Sequence, residues 1–414
     1  MEKIIFFSAI FIIAFGYLLQ LIANILEYKN MQYNIPDEFK DIYSSEKYNK
    51  SQQYKKDNIK LDIVSNTFSF LLILVILLTN VLNDWNNFIL SYNFSPIVSG
   101  IIFIGGFLLF MDIVSMPFSL YYNFKLENKY GFNKMTPGIF FTDKLKSYFL
   151  MLIIGVPVLA LTLYFFIKYP DSAWLYAMIF FILFQTIMIF IAPYIIFPLF
   201  NKFTPLDNIE LKKKILEYFN KVNVKLKGVF VMDGSKRSTK SNAFFTGFGS
   251  SKRIVLYDTL IEKFTNDEII AILAHETGHY KKKHIFLHLI ISIAESALMF
   301  FLLSIFISNE LVYKAFGIEQ PQIYIGFLLF GIFYSPIGLF LSLITNKISR
   351  SFEKQADLFA IQTIENKKPF IDALKKLSVD NLVNLTPHRL NVVLEYSHPP
   401  MIERIRYIKQ NASE

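Results

Sequence analysis

Long stretches of apolar residues, almost free of charged side chains, recur along the whole chain. Crossing the hydrocarbon core of a bilayer, which is about 30 Å thick, takes roughly 20 apolar residues in a helix. Five uninterrupted runs are long enough, at 4–26, 63–83, 147–167, 173–200 and 322–345. Two more runs, at 97–120 and 285–307, are each interrupted by one carboxylate. These carboxylates, Asp112 and Glu295, are costly in lipid, so we expect each of them to face water or a partner. The pattern predicts seven transmembrane helices.

The patterning changes between the fifth and the sixth of these runs. Residues 208–222 have the period of an amphipathic helix. Three short apolar segments separated by Gly and Ser turns are typical of strands, at 228–232, 243–246 and 253–257. Thr265 and Glu268 have the spacing of a capping box, which predicts the start of a helix that runs through His279. The predicted fold class is an all-α polytopic membrane protein with a polar region that contains a small β-sheet.

These patterns divide the chain into four regions. In order, they are the first five transmembrane helices with polar loops at 27–62 and 121–146 (residues 1–200), the polar region with the sheet (201–284), the last two transmembrane helices (285–345) and a polar C-terminal region (346–414).

Charge predicts the orientation of the chain in the membrane. The 414 residues are 53% hydrophobic, with a mean hydropathy of +0.39 and a net charge of +9. If the seven helices alternate, one side of the membrane receives 39 of the 42 Lys and Arg residues. By the positive-inside rule this side is cytosolic, in a bacterial inner membrane or the endoplasmic reticulum. The net charge then reflects topology and attraction to the lipid bilayer, and we expect no nucleic-acid partner.

The most specific chemical motif lies in the helix that begins near residue 265. His275 and His279 are four residues apart, so both imidazoles lie on one face of the helix and can bind one metal ion. Glu276 lies beside them, where it can act on a water molecule bound to that ion. The chain contains no Cys, which leaves His, Asp and Glu as candidate protein ligands. The motif predicts a hydrolase with one Zn²⁺ per chain. We interpret His284 and His288 as residues of the membrane interface.

A catalytic zinc ion normally has three protein ligands and a water molecule, so a third ligand is needed. Glu353 is the best candidate, because it lies in a stretch of good helix formers just after the last apolar run. Asp357 lies one turn later on the same side and can accept the free N–H of a zinc-bound His. We predict that Glu276 is the general base of amide hydrolysis. His398, held by the two prolines that follow it, is the candidate donor to the oxyanion.

The chain resembles the integral-membrane zinc CAAX prenyl endopeptidases of the type 1 class over nearly its whole length. The segments that carry the resemblance are 117–119, 127–134, 198–206, 235–248, 252–260, 275–284, 350–360 and 396–400. The resemblance implies seven helices around a large water-filled chamber in the membrane. It also implies a zinc site that faces this chamber at the cytosolic end.

The resemblance further implies roles for individual residues. These are the zinc ligands His275, His279 and Glu353, the base Glu276, the outer hydrogen-bond partner Asp357, and the substrate-binding or transition-state groups Asn242 and His398. The resemblance also implies a peptide substrate that adds as an extra strand beside Asn242 and Ala243, where backbone hydrogen bonds accept any sequence. Arg350 would make a polar contact near the site.

Three functions remain open on the sequence alone. The first is a metalloendopeptidase that cleaves near the C-terminus of proteins, with or without a prenyl group on the substrate. The second is a zinc protease of broader membrane-protein quality control, which would share every catalytic residue. The third is a zinc-binding transporter, which requires polar residues at mid-membrane in several helices, whereas only Asp112 and Glu295 meet that requirement.

Overall fold

Helices make up most of the chain. The computed structural model describes residues 1–247 and 252–412. Phe248, which ends the segment 235–248 that carries the family resemblance, lies outside the described residues. The helices are α1 (Glu2–Asn30), α2 (Ser45–Leu78), α3 (Val81–Leu90), α4 (Pro96–Tyr121), α5 (Asn128–Tyr130), α6 (Pro137–Leu150), α7 (Val156–Lys168), α8 (Ala173–Ile191), α9 (Phe197–Phe200), α10 (Ile209–Lys221), α11 (Asp258–Lys263), α12 (Asn266–Lys281), α13 (His284–Ile307), α14 (Glu310–Ala315), α15 (Ile323–Thr363), α16 (Lys368–Asp380), α17 (Arg389–Glu395) and α18 (Met401–Ala412). The strands are β1 (Phe203–Pro205), β2 (Gly228–Met232), β3 (Ala243–Thr246) and β4 (Arg253–Tyr257).

Seven helical segments of the described residues are long and apolar enough to cross a membrane. They are Glu2–Asn30, Ser45–Leu78, Pro96–Tyr130, Pro137–Lys168, Ala173–Phe200, His284–Ile307 and Ile323–Thr363. Short π-helical stretches connect α4 to α5, α6 to α7 and α8 to α9, so each of these pairs forms one continuous span. The predicted fold class and the number of transmembrane helices are confirmed.

The second span differs from its prediction at both ends. Its helix begins at Ser45, within the predicted loop 27–62, and Ser44 caps it by accepting the N–H of Lys47 at 3.2 Å. The helix ends at Leu78, and a separate short helix, α3, follows. A charge-free run marks only the part of a helix that lies in lipid, whereas residues such as Lys, Gln and Glu are good helix formers that extend it into water.

The predicted loop 121–146 is also largely helical, and it supplies a partner for a charge in the membrane. Helix α6 within it carries Lys144, whose ammonium forms an ion pair with Asp112 of α4. Tyr148, also on α6, donates a hydrogen bond to the same carboxylate at 2.6 Å. Asp112 therefore has the partner that its position in an apolar span requires.

The seventh span is the longest helix of the protein. Helix α15 runs without a break from Ile323 to Thr363, although the apolar run ends at residue 345. Glu353 and Asp357 therefore lie on the same rigid helix as the last transmembrane span. The predicted boundary between residues 285–345 and 346–414 therefore falls inside one continuous helix, where its residues change from apolar to polar.

The polar region contains a four-stranded sheet with the order β1-β2-β4-β3. Strands β2 and β4 are parallel, and the other two pairs are antiparallel. The three predicted strands are present, and β1 is an addition, since three residues ending in Pro205 are too few to show an alternating pattern. Strand β3 lies at one edge of the sheet, so its outer side has no neighbouring strand in the described part of the chain.

One hydrophobic core joins the sheet to the helix with the metal motif. Helix α12 begins with the predicted capping box, in which Thr265 accepts the N–H of Glu268 at 3.3 Å and Glu268 accepts the N–H of Thr265 at 2.7 Å. The core includes Leu256 of β4, Leu273 of α12 and Phe370 of α16, all essentially inaccessible to solvent. This packing holds α12 rigidly between the sheet and α15.

Candidate metal centre

Three side chains from two helices meet at one point. His275 and His279 project from α12 and Glu353 projects from α15, with one potential ligand atom of each lying within 4.8 Å of the others. The two Nε2 atoms are 3.2 Å apart. His275 Nε2 is 3.4 Å from Glu353 Oε2, and His279 Nε2 is 3.1 Å from Glu353 Oε1. The three groups predicted to be ligands therefore converge.

The spacing of these atoms fits a zinc ion. With metal–ligand distances of about 2.0–2.2 Å, neighbouring ligand atoms of a tetrahedral site lie about 3.4 Å apart. Glu353 Oε2 is also buried and accepts no hydrogen bond from the described residues. A buried carboxylate oxygen without a donor is costly, and a bound cation would satisfy it. The two imidazoles and one carboxylate are ligand types that zinc prefers.

A glycine lets the two helices approach closely enough to build this cluster. A Cβ atom on Gly278 would lie 2.8 Å from the Cα and 3.0 Å from the carbonyl oxygen of Ala356 on α15. Both are backbone atoms, which cannot move away without displacing α15. Because Gly278 precedes His279 and Ala356 lies three residues after Glu353, this contact sets the distance between the candidate ligands of the two helices.

Replacing Gly278 with Ala is expected to push α12 away from α15. Overpacking of this kind costs about 1–3 kcal/mol, so we expect zinc affinity to fall by a factor of about 10. Equilibrium dialysis of the purified protein against buffered zinc would measure this change. The matched control is Gly331→Ala on α15, where a Cβ meets no atom within 4 Å. Wild-type affinity in both variants would show that the helix contact does not set the ligand geometry.

Asp357 and a buried arginine hold the first histidine in place. Asp357 Oδ1 is 2.8 Å from His275 Nδ1, as predicted for an acceptor of the free N–H of that ring. Arg404 of α18 donates to both oxygens of Asp357, at 2.9 and 2.6 Å. Its guanidinium also lies 3.6 Å from Glu353 Oε2. Arg404 thus bridges the two carboxylates of α15.

The charges around His275 favour a cation at this position. Burial lowers the pKa of the ring, but the Asp357 and Glu353 carboxylates outweigh burial and raise the pKa to about 9. The desolvated guanidinium of Arg404 has a pKa above its ordinary value because the same two carboxylates surround it. The carboxylates that favour a proton on His275 also favour a metal ion bound to it.

Sequence reasoning missed Arg404. It lies six positions after His398, and no motif distinguishes it from exposed arginines such as Arg406. One signal in the sequence was the helix face that Arg404 shares with Met401, Ile405 and Ile408. The two isoleucines of this face are fully buried. A charged residue on the apolar face of an amphipathic helix indicates a buried partner.

Glu276 and His398 line the same cavity as the ligand cluster. This cavity has a volume of about 1020 Å³, and His275, His279 and Glu353 line it as well. Burial raises the pKa of Glu276, which makes its carboxylate a stronger base than an exposed one. His398 Nε2 lies 3.3 Å from Glu353 Oε1, while the side chain as a whole is 63% exposed. The ring therefore reaches the ligands from the open side of the cavity.

Arg350 lies behind this histidine. Its guanidinium donates to the backbone carbonyls of Val392 and Tyr396, at 3.0 and 2.6 Å. Asn346, one turn earlier on α15, donates to the carbonyl of Leu394. These bonds tie the segment before His398 to α15, so the geometry gives Arg350 a positioning role for that segment.

The edge strand forms another wall of the same cavity. Phe244, Phe245 and Thr246 of β3 line it, whereas Asn242 and Ala243 are not among the lining residues and lie at the beginning of that strand. Asn242 Oδ1 accepts the N–H of Ala243 at 2.8 Å, and the carbonyl of Asn242 accepts the N–H of Tyr257. The predicted substrate-binding pair thus shapes the start of the edge strand.

His284, the first residue of the sixth span, is also a partner of the metal motif, which its interpretation as a residue of the membrane interface did not include. The residue is 1% exposed, its Nδ1 lies 3.0 Å from His279 Nδ1, and its ring stacks on Phe352 at 4.2 Å. Lys283 adopts a left-handed conformation with φ of 59°, which turns the chain between α12 and α13. His284 therefore folds back onto His279, a consequence of backbone geometry that hydropathy does not show.

The chain is similar in sequence and in fold to known proteins. Residues 24–202 match the family model of the CAAX prenyl protease N-terminal region with five membrane helices, and residues 205–412 match peptidase family M48. CAAX prenyl protease 1 of Saccharomyces cerevisiae is 35% identical over 397 residues, covering 90% of this chain and 87% of the relative. The human CAAX prenyl protease 1 homolog is 32% identical, covering 91% and 89%. The crystal structure of Ste24p from S. mikatae superimposes with a TM-score of 0.93 at 33% identity, covering 99% of each chain.

Proposed function

Because the chain belongs to the CAAX prenyl protease 1 family of M48 peptidases, and is thus a multi-pass membrane metalloprotease, we propose that it cleaves CAAX proteins near their C-terminus. The substrate class is inferred from its relatives, which are CAAX prenyl proteases. The observation that carries the proposal is the convergence of His275, His279 and Glu353 on a cavity bounded by a free edge strand. A zinc-binding transporter does not fit a member of a peptidase family.

We propose that the metal is zinc, one ion per chain, held by His275, His279 and Glu353. When bound there, zinc lowers the pKa of a water molecule and polarises the scissile carbonyl. Glu276 accepts the proton of that water and passes it to the leaving amine. His398 donates a hydrogen bond to the oxyanion from the open side of the cavity.

The substrate peptide binds along the free edge of β3. Backbone N–H and C=O groups on that edge can pair with an extended peptide whatever its sequence. Phe244, Phe245 and Thr246 contribute side chains on alternating faces, and they border the same cavity as Glu276. The peptide bond to be cleaved would thereby lie beside the metal ligands.

Comparing a farnesylated CAAX peptide with its unprenylated twin tests the proposed substrate. We expect the purified protein to cleave the prenylated peptide with the higher kcat/KM, because Ile189, Phe197 and Phe286 give the cavity apolar surface against which a prenyl chain can pack. Mass spectrometry of the products would locate the cleaved bond. Equal rates on both peptides would favour the broader quality-control protease, which shares the same catalytic residues.

We also propose that the metal centre faces the cytosol. The start of α2 lies on the side of the metal centre, since Lys47 forms an ion pair with Asp380 of α16. The short helix α3 lies at the opposite end of the same span. The positive-inside rule favours the cytosol for the side with most Lys and Arg residues.

Single cysteines would test this orientation, because the chain has none of its own. Lys50 is exposed in the polar first turns of α2, and Ser91 is exposed just after α3, beyond the other end of the second span. We expect a thiol reagent that cannot cross membranes to label Ser91→Cys in intact cells and Lys50→Cys only after permeabilisation. The unmodified protein is the control. The reverse labelling pattern would place the metal centre outside the cytosol.

A further inference from the structure

A second cavity lies on the face of the sheet that is turned toward the fifth span. Its volume is about 400 Å³. The end of the span forms one wall through Pro193, Phe197 and Pro198. The opposite wall comes from the sheet, including Phe230 and Arg253. The cavity therefore lies between a transmembrane helix and the polar region.

Arg253 is one of the two charged residues that line this cavity among those that the structure describes. Its guanidinium lies 4.3 Å from the ring centre of Tyr194 and 5.0 Å from that of Phe230. Its Nε atom is buried and makes no hydrogen bond with a described residue. A buried donor without an acceptor costs free energy, and an anion in the cavity would supply the acceptor that Nε of Arg253 lacks.

The lining carries positive charge only. Lys202 joins Arg253, and none of the described residues that line the cavity is Asp or Glu. The carboxylate of Asp233 lies nearby, but it accepts the backbone N–H of Lys202 at 2.7 Å. The cavity is therefore complementary to an anion that also carries an apolar body.

The position of the cavity indicates which anion is available. The fifth span ends at Phe200, and the polar residues Asn201 and Lys202 follow at once. Lys146 donates to the carbonyl of Leu199 at 2.8 Å, which places another ammonium group at the same level. A change from apolar residues to lysines at the end of a span is typical of the lipid headgroup layer.

We propose that this cavity binds the headgroup of an anionic phospholipid. The phosphate pairs with the guanidinium of Arg253 and the ammonium of Lys202, and the adjoining glycerol and acyl carbons lie against Phe197 and Pro198. The planar guanidinium suits a phosphate, because it can donate two parallel hydrogen bonds. Lipid binding at this site is separate from the proposed proteolytic function, and it can be measured without an assay of cleavage.

The site is also connected to the catalytic cavity. Phe244 and Thr246 of β3 line both cavities, as do Pro193 and Phe197. A lipid seated against Phe244 and Thr246 therefore supports the edge strand from the face opposite α12. Anionic lipid is expected to lower KM for a peptide substrate without changing kcat.

Lipid retention by the full-length protein tests the site directly. The protein would be placed in nanodiscs of phosphatidylcholine with increasing phosphatidylglycerol, and the lipids that stay bound would be counted by native mass spectrometry. We expect Arg253→Gln to weaken phosphatidylglycerol retention at least about fivefold, the effect of losing about 1 kcal/mol per basic residue. Arg253→Lys should restore part of it. Lys212→Gln, an exposed lysine of α10, is the control for net charge.

Each outcome of this experiment decides the proposal. Equal retention by wild type and Arg253→Gln would overturn it. Displacement of the lipid by millimolar inorganic phosphate would show that the cavity recognises free phosphate rather than a lipid. If Arg253→Gln does not fold, Lys202→Gln carries the test, because Lys202 is exposed and its loss leaves β4 intact. Weaker retention in Lys202→Gln supports the site, and unchanged retention contradicts it.

Discussion

Replacing Glu276 with Gln is expected to lower kcat for peptide cleavage by about 10²–10⁴-fold, the usual contribution of a general base. Gln has nearly the same shape as Glu but cannot accept the proton of the attacking water. Glu276 is not one of the three ligand groups, so the variant should retain its zinc. Cleavage assays and metal analysis on the same preparation would separate the loss of chemistry from the loss of the metal.

The control for this variant is Glu262→Gln on α11, an exposed position that removes the same charge. It should cleave at the wild-type rate. A Glu276→Gln protein that binds zinc and cleaves at the wild-type rate would show that another group acts as the base.

Replacing Glu353 with Ala is expected to remove both the metal and the activity. The change deletes one of three ligands and leaves Arg404 without one of its two carboxylate partners. Loss of an outer partner of a metal ligand typically costs about 10–100-fold in affinity, so Asp357→Asn should fall in that range. The loss of zinc affinity in Glu353→Ala should exceed this range. Competition with a zinc-binding dye would measure the affinity of both variants.

Glu365→Ala is the matched control for Glu353, because it removes an exposed carboxylate just beyond the same helix. We expect its zinc affinity to equal that of the wild type. If Glu353→Ala also bound zinc with wild-type affinity, the third ligand would have to come from elsewhere in the chain. The agreement between the cluster geometry and a tetrahedral zinc site would then be accidental.

The parts of this protein that depend on local patterns were predictable. The capping box at Thr265 and the spacing of His275 and His279 are features of one helix, so the sequence is sufficient to place them. The seven spans follow from hydropathy for the same reason. The proposed third ligand was within reach of the sequence because Glu353 and Asp357 are one helical turn apart, the spacing expected of a ligand and an acceptor for a neighbouring histidine.

The parts that depend on long-range packing were not predictable in the same way. Arg404 acts on His275 across 129 residues of chain, and His284 reaches His279 only because Lys283 turns the backbone. The extra length of α2 also has tertiary causes. Tyr54, on its polar half, is buried where it hydrogen-bonds to Glu127, which in turn pairs with Lys240. Burial in protein makes such polar residues compatible with a helix that continues into the membrane.

The number of zinc ions needed for cleavage tests the central claim most directly. The metal would be removed from the purified protein with a chelator and zinc returned in steps while cleavage of a CAAX peptide is followed. We expect no cleavage without metal, and a rate that rises linearly and levels off at one zinc ion per chain. Full activity without metal, or no activity at one zinc ion per chain, would contradict the account.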